Sequence, residues 1–446
     1  MREKFVLTLS LIWCISSFSF AQKTESLYGD DEVNESKEIK QQISKYDLKS
    51  HLTVGGYGEV AFTREFFSDN VYRYSKPGQY KNDPSHGKFD IPHAVIYLNY
   101  DFGRGWTMGT EIEFEHGGTG TAYEKEFEES GEWEQEVEKG GEIELEQFWL
   151  QKSFSRLFNI KVGHIVVPVG GLNNSHEPLN FFTVYRPEGE YTILPSTWHQ
   201  TGISLWGRSK KWRYEVQFLP GLNAMYFTRD KWIHKGAGTA LEFEVANKYA
   251  GMVRIDNYSI PGLRMGISGY YGHSIDNALT RDANGTASKL KGAVAIGTFD
   301  FTYKGYNWII RGNADYGHLG DAVSVYNLPG RQTKTSPYSS DHVGKNALAY
   351  GVEAGYDIFS QIHSLKEKEQ KMYVFGRYEY YDSYVPNRNS QPEYPYTDKN
   401  RIAVGLNYFP LPQIVVKGEY SYRFLKSQYN NEPSVSLGIA YQGFFF

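Results

Sequence analysis

The sequence predicts an all-β fold: a transmembrane antiparallel β-barrel of about 16 strands, with short periplasmic turns and long extracellular loops. Three observations carry this. From His51 onward the residues alternate apolar and polar with period two, as strands with one apolar face require. The connections between these strands alternate short and long. Aromatic residues make up 16% of a chain whose mean hydropathy is only −0.53.

The last observation looks contradictory for a membrane protein. Beyond the N-terminus no segment approaches the roughly 18 consecutive apolar residues of a transmembrane helix. A barrel reconciles the two facts. Only every second residue faces lipid, so mean hydropathy stays low, while girdles at both interfaces use Tyr, Phe and Trp. The chain holds 36 Tyr, 27 Phe and 9 Trp. A water-soluble all-β protein shares this composition, so the weight falls on the alternation and the loops.

At the N-terminus, Arg2 and Lys4 precede an apolar run from Phe5 to Phe20, and Ser19-Phe20-Ala21 places small residues where a signal peptidase reads. We expect residues 1–21 to be a signal peptide cleaved before Gln22, 22–50 a polar periplasmic segment, and 51–446 the outer-membrane barrel. Losing Arg2, Lys4 and Glu3 moves the formal charge from −5 to −6, and Cys14 goes with them. The mature chain then has no disulfide, zinc–thiolate site or cysteine nucleophile. The mildly acidic balance gives no reason to expect a nucleic-acid partner.

Sixteen segments alternate, with cores at 52–65, 92–103, 105–116, 142–153, 158–167, 200–208, 211–219, 249–258, 262–272, 293–303, 306–317, 347–359, 371–383, 400–409, 413–425 and 434–446. Trp212, Tyr214, Val216 and Phe218 oppose Arg213, Glu215 and Gln217; Ile414, Val416, Tyr420 and Tyr422 oppose Lys417, Glu419, Ser421 and Arg423. Short links such as 103–105, 208–211 and 303–306 alternate with long ones at about 66–91, 117–141, 168–199, 220–248, 273–292, 318–346 and 384–399. A soluble sandwich has no reason to sort its loops this way. The link at 359–370 departs, being longer than the other turns and rich in Lys and Glu. The terminal aromatic resembles the signal that outer-membrane assembly machinery reads, although Phe446 is out of phase with the Val435–Tyr441 face and Phe445 in phase.

The inward faces give a charged lumen. Candidate pore-lining residues are Glu111, Glu113, Glu115, Arg213, Arg254, Arg264, Arg311, Asp315, Arg377, Glu379, Lys417 and Arg423. An Arg or Lys in hydrocarbon at mid-depth costs about 2–4 kcal/mol, so charges repeated on one face mark the face that avoids lipid. Acids gather on the early strands and most basic residues lie from Arg208 onward, which predicts a transverse field if the two sets face each other. A salt-bridged plug is the alternative; 16 strands make a barrel too wide for wall side chains alone to fill.

The third outer loop is the candidate constriction. Pro168, Pro178, Pro187 and Pro195 stiffen it, and Glu177, Arg186, Glu188 and Glu190 are its charged candidates. The second outer loop carries eleven glutamates from Glu124 to Glu146, with Glu132, Glu134, Glu136 and Glu138 alternating with Trp133 and Val137 as in a hairpin. A divalent cation bridging to lipopolysaccharide is one reading of 124–146, but no spaced calcium-loop pattern is present and a solvated acidic face explains it as well. No other cofactor and no metal site is expected. His93, His164, His176 and His199 are scattered without ligand spacing, and no G-x-S-x-G elbow occurs, so the sequence nominates no catalytic residue.

One stretch carries a resemblance: Lys161-Val162-Gly163-His164, Val167-Pro168-Val169-Gly170-Gly171, Asn174-Ser175-His176-Glu177-Pro178 and Leu194-Pro195-Ser196-Thr197-Trp198-His199-Gln200-Thr201-Gly202-Ile203. It resembles the phosphate-selective porin O/P family of Bacteroidetes-type outer-membrane porins, as do Ala246-Asn247-Lys248, Ile260-Pro261-Gly262-Leu263-Arg264 and Gly269-Tyr270-Tyr271-Gly272. The sharp part spans roughly 140–275. The resemblance implies a 16-strand porin, usually a homotrimer. Phosphate-selective members carry a basic ladder, whereas this chain mixes acids with its arginines. The reading is a passive diffusion channel for small hydrophilic solutes or ions in the outer membrane of a Gram-negative bacterium, not an enzyme. A solute-specific anion or phosphate channel, and a non-conducting structural or surface-binding barrel, are the alternatives. Expected partners are outer-membrane lipid, lipopolysaccharide, the permeating solutes and the assembly machinery.

Overall fold

A computed structural model describes residues 51–70, 72–116, 121–127, 133–139, 142–239, 243–278, 290–328 and 342–445, with the backbone alone for 121–127, 133–139 and 142. The expected signal peptide 1–21, the segment 22–50 and Phe446 lie outside them.

Sixteen strands form one antiparallel barrel: β1 (Leu52–Glu65), β2 (Gly87–Asp90 continuing as His93–Gly103), β3 (Trp106–Glu115), β4 (Glu142–Ser155), β5 (Phe158–Val166), β6 (His199–Arg208), β7 (Trp212–Pro220) and β8 (Tyr249–Ile260), then β9 (Leu263–His273), β10 (Ala293–Gly305), β11 (Trp308–Leu319), β12 (Asn346–Asp357), β13 (Lys371–Val385), β14 (Asp398–Leu411), β15 (Ile414–Phe424) and β16 (Glu432–Phe444). Closure is by β16 on β1, from Gly55 opposite Phe444 to Glu65 opposite Ser434. Both parts of β2 pair with β1, which is why a break at residues 91–92 adds no seventeenth barrel strand.

Alternation sorts the side chains as the sequence predicts. Ile96, Phe102, Val216, Phe218, Val404, Leu406, Leu437 and Ile439 stand on the outer face, each 42–56% exposed. Their strand neighbours Tyr97, Gln217, Ala403 and Ser436 are buried inside. Phe102, Trp106, Phe154, Phe158, Trp212 and Trp308 lie beside the short turns and form an aromatic girdle at that rim. The turn between β10 and β11 puts both Tyr306 and Asn307 at positive φ, the geometry that matches a two-residue turn to strand twist. The longer link after β12 holds a 3-10 turn, Ile358–Gln361, and a short helix, His363–Glu367. In the second outer loop Thr121–Phe127 pairs with Trp133–Lys139, the hairpin expected there. The expected cation site at 124–146 falls mostly on side chains outside the described set.

The lumen departs from a uniformly polar channel. At the outer ends of β7–β12, Leu219, Met252, Tyr270, Ile296, Leu319 and Ala347 turn inward and form one buried cluster with loop residues Val167, Ile193, Leu194, Phe227, Trp232 and Ile233. Each large apolar side chain so buried contributes about 1.5–3 kcal/mol, which offsets the entropy of ordering two long loops inside the barrel. The third and fourth outer loops thus occupy part of the width that wall side chains alone cannot fill.

Candidate functional site: the lumen and its inward loop

The third outer loop, 167–198, leaves β5, crosses the lumen and returns to β6. Its start is fixed on one wall. Arg254 on β8 donates to the carbonyls of Pro168 (3.3 Å) and Gly170 (2.9 Å), and the Gly170 N–H donates to Ser268 Oγ at 3.0 Å. Its middle reaches the far wall. Lys417 Nζ on β15 donates to the carbonyls of Phe181 (2.9 Å) and Thr183 (2.8 Å), the Val184 N–H donates to Glu419 Oε2 at 2.6 Å, and Phe182 stacks on Phe375. A short helix, Glu188–Ile193, then packs on β12 and β13, where the Gly189 N–H donates to Glu379 Oε1 at 3.2 Å.

All four charged candidates of this loop point inward. Glu188 meets Arg423, whose Nε donates to Oε2 at 2.7 Å; it also accepts from Tyr381 OH at 2.7 Å and lies 3.4 Å from Arg401. Burial raises the Glu188 carboxyl, but Arg401 and Arg423 more than reverse that and hold it well below the usual carboxylate range. Glu190 accepts from the Leu172 N–H at 2.7 Å and is pushed by burial up to about 7. Glu177 is buried and accepts from Asn180 Nδ2 at 2.7 Å. Arg186 lies by Tyr57 OH (3.5 Å) and the His176 carbonyl (3.4 Å). Burial and then Arg186 hold the His176 imidazole well below its usual value.

The strand candidates face the interior too, but not as two opposed sets. Arg213 pairs with Glu215 at 2.7 Å. Arg254 binds Asp256 (2.8 Å) and Asp300 (2.9 Å), and Arg264 binds Asp256 at 3.0 Å. Arg311 pairs with Glu353 at 2.7 Å, and Arg377 with Glu353 (3.2 Å) and Glu379 (2.9 Å). Arg401 bridges Glu379 (3.0 Å) and Glu419 (2.7 Å), and Arg423 adds Glu432 at 3.2 Å. Asp315 is buried and accepts from Asn313 Nδ2 at 2.6 Å. The expectation of a basic wall facing an acidic one is therefore corrected: the arginines are neutralised by carboxylates on their own or nearby strands and, at Arg423, by Glu188 of the inward loop. Arg254, Glu353 and Glu379 are each no more than 1% exposed.

The opposite wall keeps its acidity. Glu59, Glu111, Glu113, Glu115 and Glu146 converge there with His93, which contacts Glu113 and lies 3.7 Å from Glu59. The histidines that look scattered along the chain come together: the His176 ring centroid is 6.3 Å from His199, itself 6.1 Å from His164. Sequence reasoning passed over Glu146, Asp256, Asp300 and Arg401 as lumen residues. The last three were within reach, since Asp300 sits between Phe299 and Phe301, and Asp256 and Arg401 each follow the inward phase beside an outward isoleucine, Ile255 and Ile402. Glu146 was not. Glu111 faces Gln147 and Ile112 faces Leu145, so Glu146 is the extra residue of a β-bulge, which turns it inward beside Gln147.

Barrel, charged lumen and inward loop together define the chain as a closed 16-strand antiparallel transmembrane β-barrel. No family model matches it. An uncharacterized protein of Aquifex aeolicus (strain VF5) is 26% identical over 395 residues, covering 87% of this chain and 79% of the relative. Among solved structures, OmpF of Salmonella typhi, in complex with daunomycin, is similar at TM-score 0.52 and 10% identity, over 88% of this chain and 97% of OmpF. The outer membrane channel DcaP of Acinetobacter baumannii is similar at TM-score 0.50 and 12% identity, over 90% and 100% of the two chains. At these identities the likeness is one of fold.

Proposed function

We propose that the protein is an outer-membrane porin of a Gram-negative bacterium, passing small hydrophilic solutes or ions passively through a lumen narrowed by loop 167–198. The observation that carries this is a closed barrel with charged side chains on its inner face and one long loop folded across it. The fold likeness to OmpF and DcaP supports the same reading. Outer-membrane lipid, lipopolysaccharide, the permeating solutes and the assembly machinery are the partners this implies, and a signal peptide over residues 1–21 is the export route it needs.

A phosphate-type channel has less support. The resemblance to the porin O/P family points to it, but Arg254, Arg311, Arg377 and Arg401 are each matched to carboxylates and form no free basic ladder. A homotrimer rests on that resemblance alone. The glycines of β1 need no partner subunit: a Cβ at Gly56 would lie 2.0 Å from the Val95 carbonyl, so close strand approach accounts for glycine there. The second reading, a non-conducting barrel, is favoured by the depth at which the lumen charges are buried.

The test is single-channel conductance of the folded protein in planar bilayers, with reversal potentials in a salt gradient. Stepwise openings are expected. Silence from a demonstrably folded, heat-modifiable barrel makes the non-conducting reading the correct one.

A further inference from the structure

The acidic wall holds a group of donors that pore lining does not require. Glu111 on β3, Glu146 on the β4 bulge and His176 of the inward loop bring two carboxylate oxygens and one imidazole nitrogen within 4.8 Å of one another, and all three residues are buried. Each carboxylate is oriented by a neutral donor on one oxygen. Gln147 Nε2 donates to Glu111 Oε2 at 2.5 Å, and Thr197 Oγ1 donates to Glu146 Oε1 at 2.6 Å. The other oxygens, Glu111 Oε1 and Glu146 Oε2, are buried and accept from no amide, hydroxyl or cationic donor, the carboxyl groups of Glu111, Glu146 and Glu113 facing one another instead, and Glu111 and Glu146 are only 1% and 2% exposed.

Leaving buried carboxylate oxygens bare is costly, and two such groups side by side repel. A cation relieves both penalties. The pattern of one oxygen held by a neighbour and the other bare is that of carboxylates with an outer shell orienting them toward a metal. The bulge at Glu146 points the same way, because bulges re-aim single side chains at functional positions. An imidazole with two carboxylates, and no thiolate, suits a borderline divalent ion rather than a soft or a purely oxygen-seeking one.

We propose that Glu111, Glu146 and His176 bind one divalent transition-metal ion of the zinc class, which ties the inward loop to strands β3 and β4. His93 and Glu113 stand beside this site as a further nitrogen and carboxylate. The site lies inside the barrel, apart from the acidic outer hairpin.

The experiment uses the full-length protein, folded in detergent, stripped with a chelator and titrated with Zn²⁺ by calorimetry. Calorimetry does not need an open pore, so its result stands whether or not the porin reading does. One site per chain is expected, with Glu111→Gln and Glu146→Gln each weakening it about tenfold or more. Glu136→Gln, on the outer hairpin, is expected to leave it unchanged. Zinc binding that is absent, or that survives both wall substitutions undiminished, overturns the proposal and leaves a proton-sharing carboxylate pair in its place. X-ray absorption of the zinc-loaded wild-type protein keeps the test open should a variant not fold. Nitrogen and oxygen ligands at about 2.0–2.2 Å, with imidazole scattering, are expected; a shell of oxygens without imidazole overturns the site.

Discussion

Glu188 fastens the inward loop to the far wall, and Glu188→Gln isolates that fastening. The substitution keeps the size of the side chain and removes its charge. Arg423 loses its carboxylate partner at 2.7 Å and Arg401 a neighbour at 3.4 Å. Breaking a buried ion pair from one side costs about 3–5 kcal/mol, because the remaining charge stays buried. Two facts reduce that here. Arg423 retains Glu432, Arg401 retains Glu379 and Glu419, and the Glu188 and Arg423 side chains are 19% and 21% exposed, so water screens part of the loss. About 2–3 kcal/mol remains, a shift of about 30- to 150-fold in the ratio of docked to undocked loop. Hydrogen exchange of the folded protein reads this ratio at Gly189 and Leu194, whose N–H groups donate to Glu379 and to the Glu190 carbonyl. Their protection should fall by that factor while the amides of β10 and β11 keep theirs. Arg423→Gln alone and combined with Glu188→Gln completes the cycle, and a coupling near zero or unchanged loop protection refutes the clamp.

Docking of the loop should also weaken as pH rises. Glu190, pushed up to about 7 when docked against an ordinary value of 4.5, contributes fully below the undocked value and loses its contribution as pH passes through the docked one. Glu188, shifted the other way, is lost only in strong acid. Limited proteolysis of the loop should therefore accelerate between about pH 5 and pH 8, and Glu190→Gln should flatten that profile; a flat wild-type profile counts against it. Gly170→Ala should loosen the same loop. Its φ is +83° and a Cβ would sit 2.1 Å from Glu190 Oε1, so the strain of roughly 1–3 kcal/mol should appear as faster loop proteolysis with the barrel still heat-modifiable. Arg311→Glu leaves Glu353 facing a like charge and should move the reversal potential toward cation selectivity. An unmoved potential in a conducting channel would place Arg311 away from the conducting path.

Lipid made the strands legible. A strand read over 293–303 runs Ala293–Gly305, and one read over 371–383 runs Lys371–Val385, because hydrocarbon imposes its chemistry on every second residue independently of any partner. The inward fold of loop 167–198 left a weaker trace in its four prolines and four charged candidates. The apolar core inside the outer half was not legible. Trp232 and Phe227 are fully buried, yet in the sequence they belong to a long outer loop without period-two alternation, and only the cluster they share with wall residues such as Leu319 and Met252 gives them a reason to bury. Glu146 was hidden for a related reason: strict alternation assigns it one face, and the bulge that reassigns it depends on how β4 pairs with β3.

The charge pattern shows where reading single strands stops. Acids early and bases late suggest a field across the pore, but neutralisation is a property of register. Arg311 lies directly opposite Glu353, and Glu353 opposite Arg377; Glu379 lies opposite Arg401, and Glu215 opposite Arg254. Opposite charges at directly paired positions stabilise the sheet and leave little field in the lumen. On the first four strands no such partner is in register: His93 lies opposite Glu115, Tyr97 opposite Glu111, and Val95 opposite Glu113. Charge left over from folding therefore concentrates on the β1–β4 wall, beside the bulge and His176, and what the protein attracts into its barrel should be decided there.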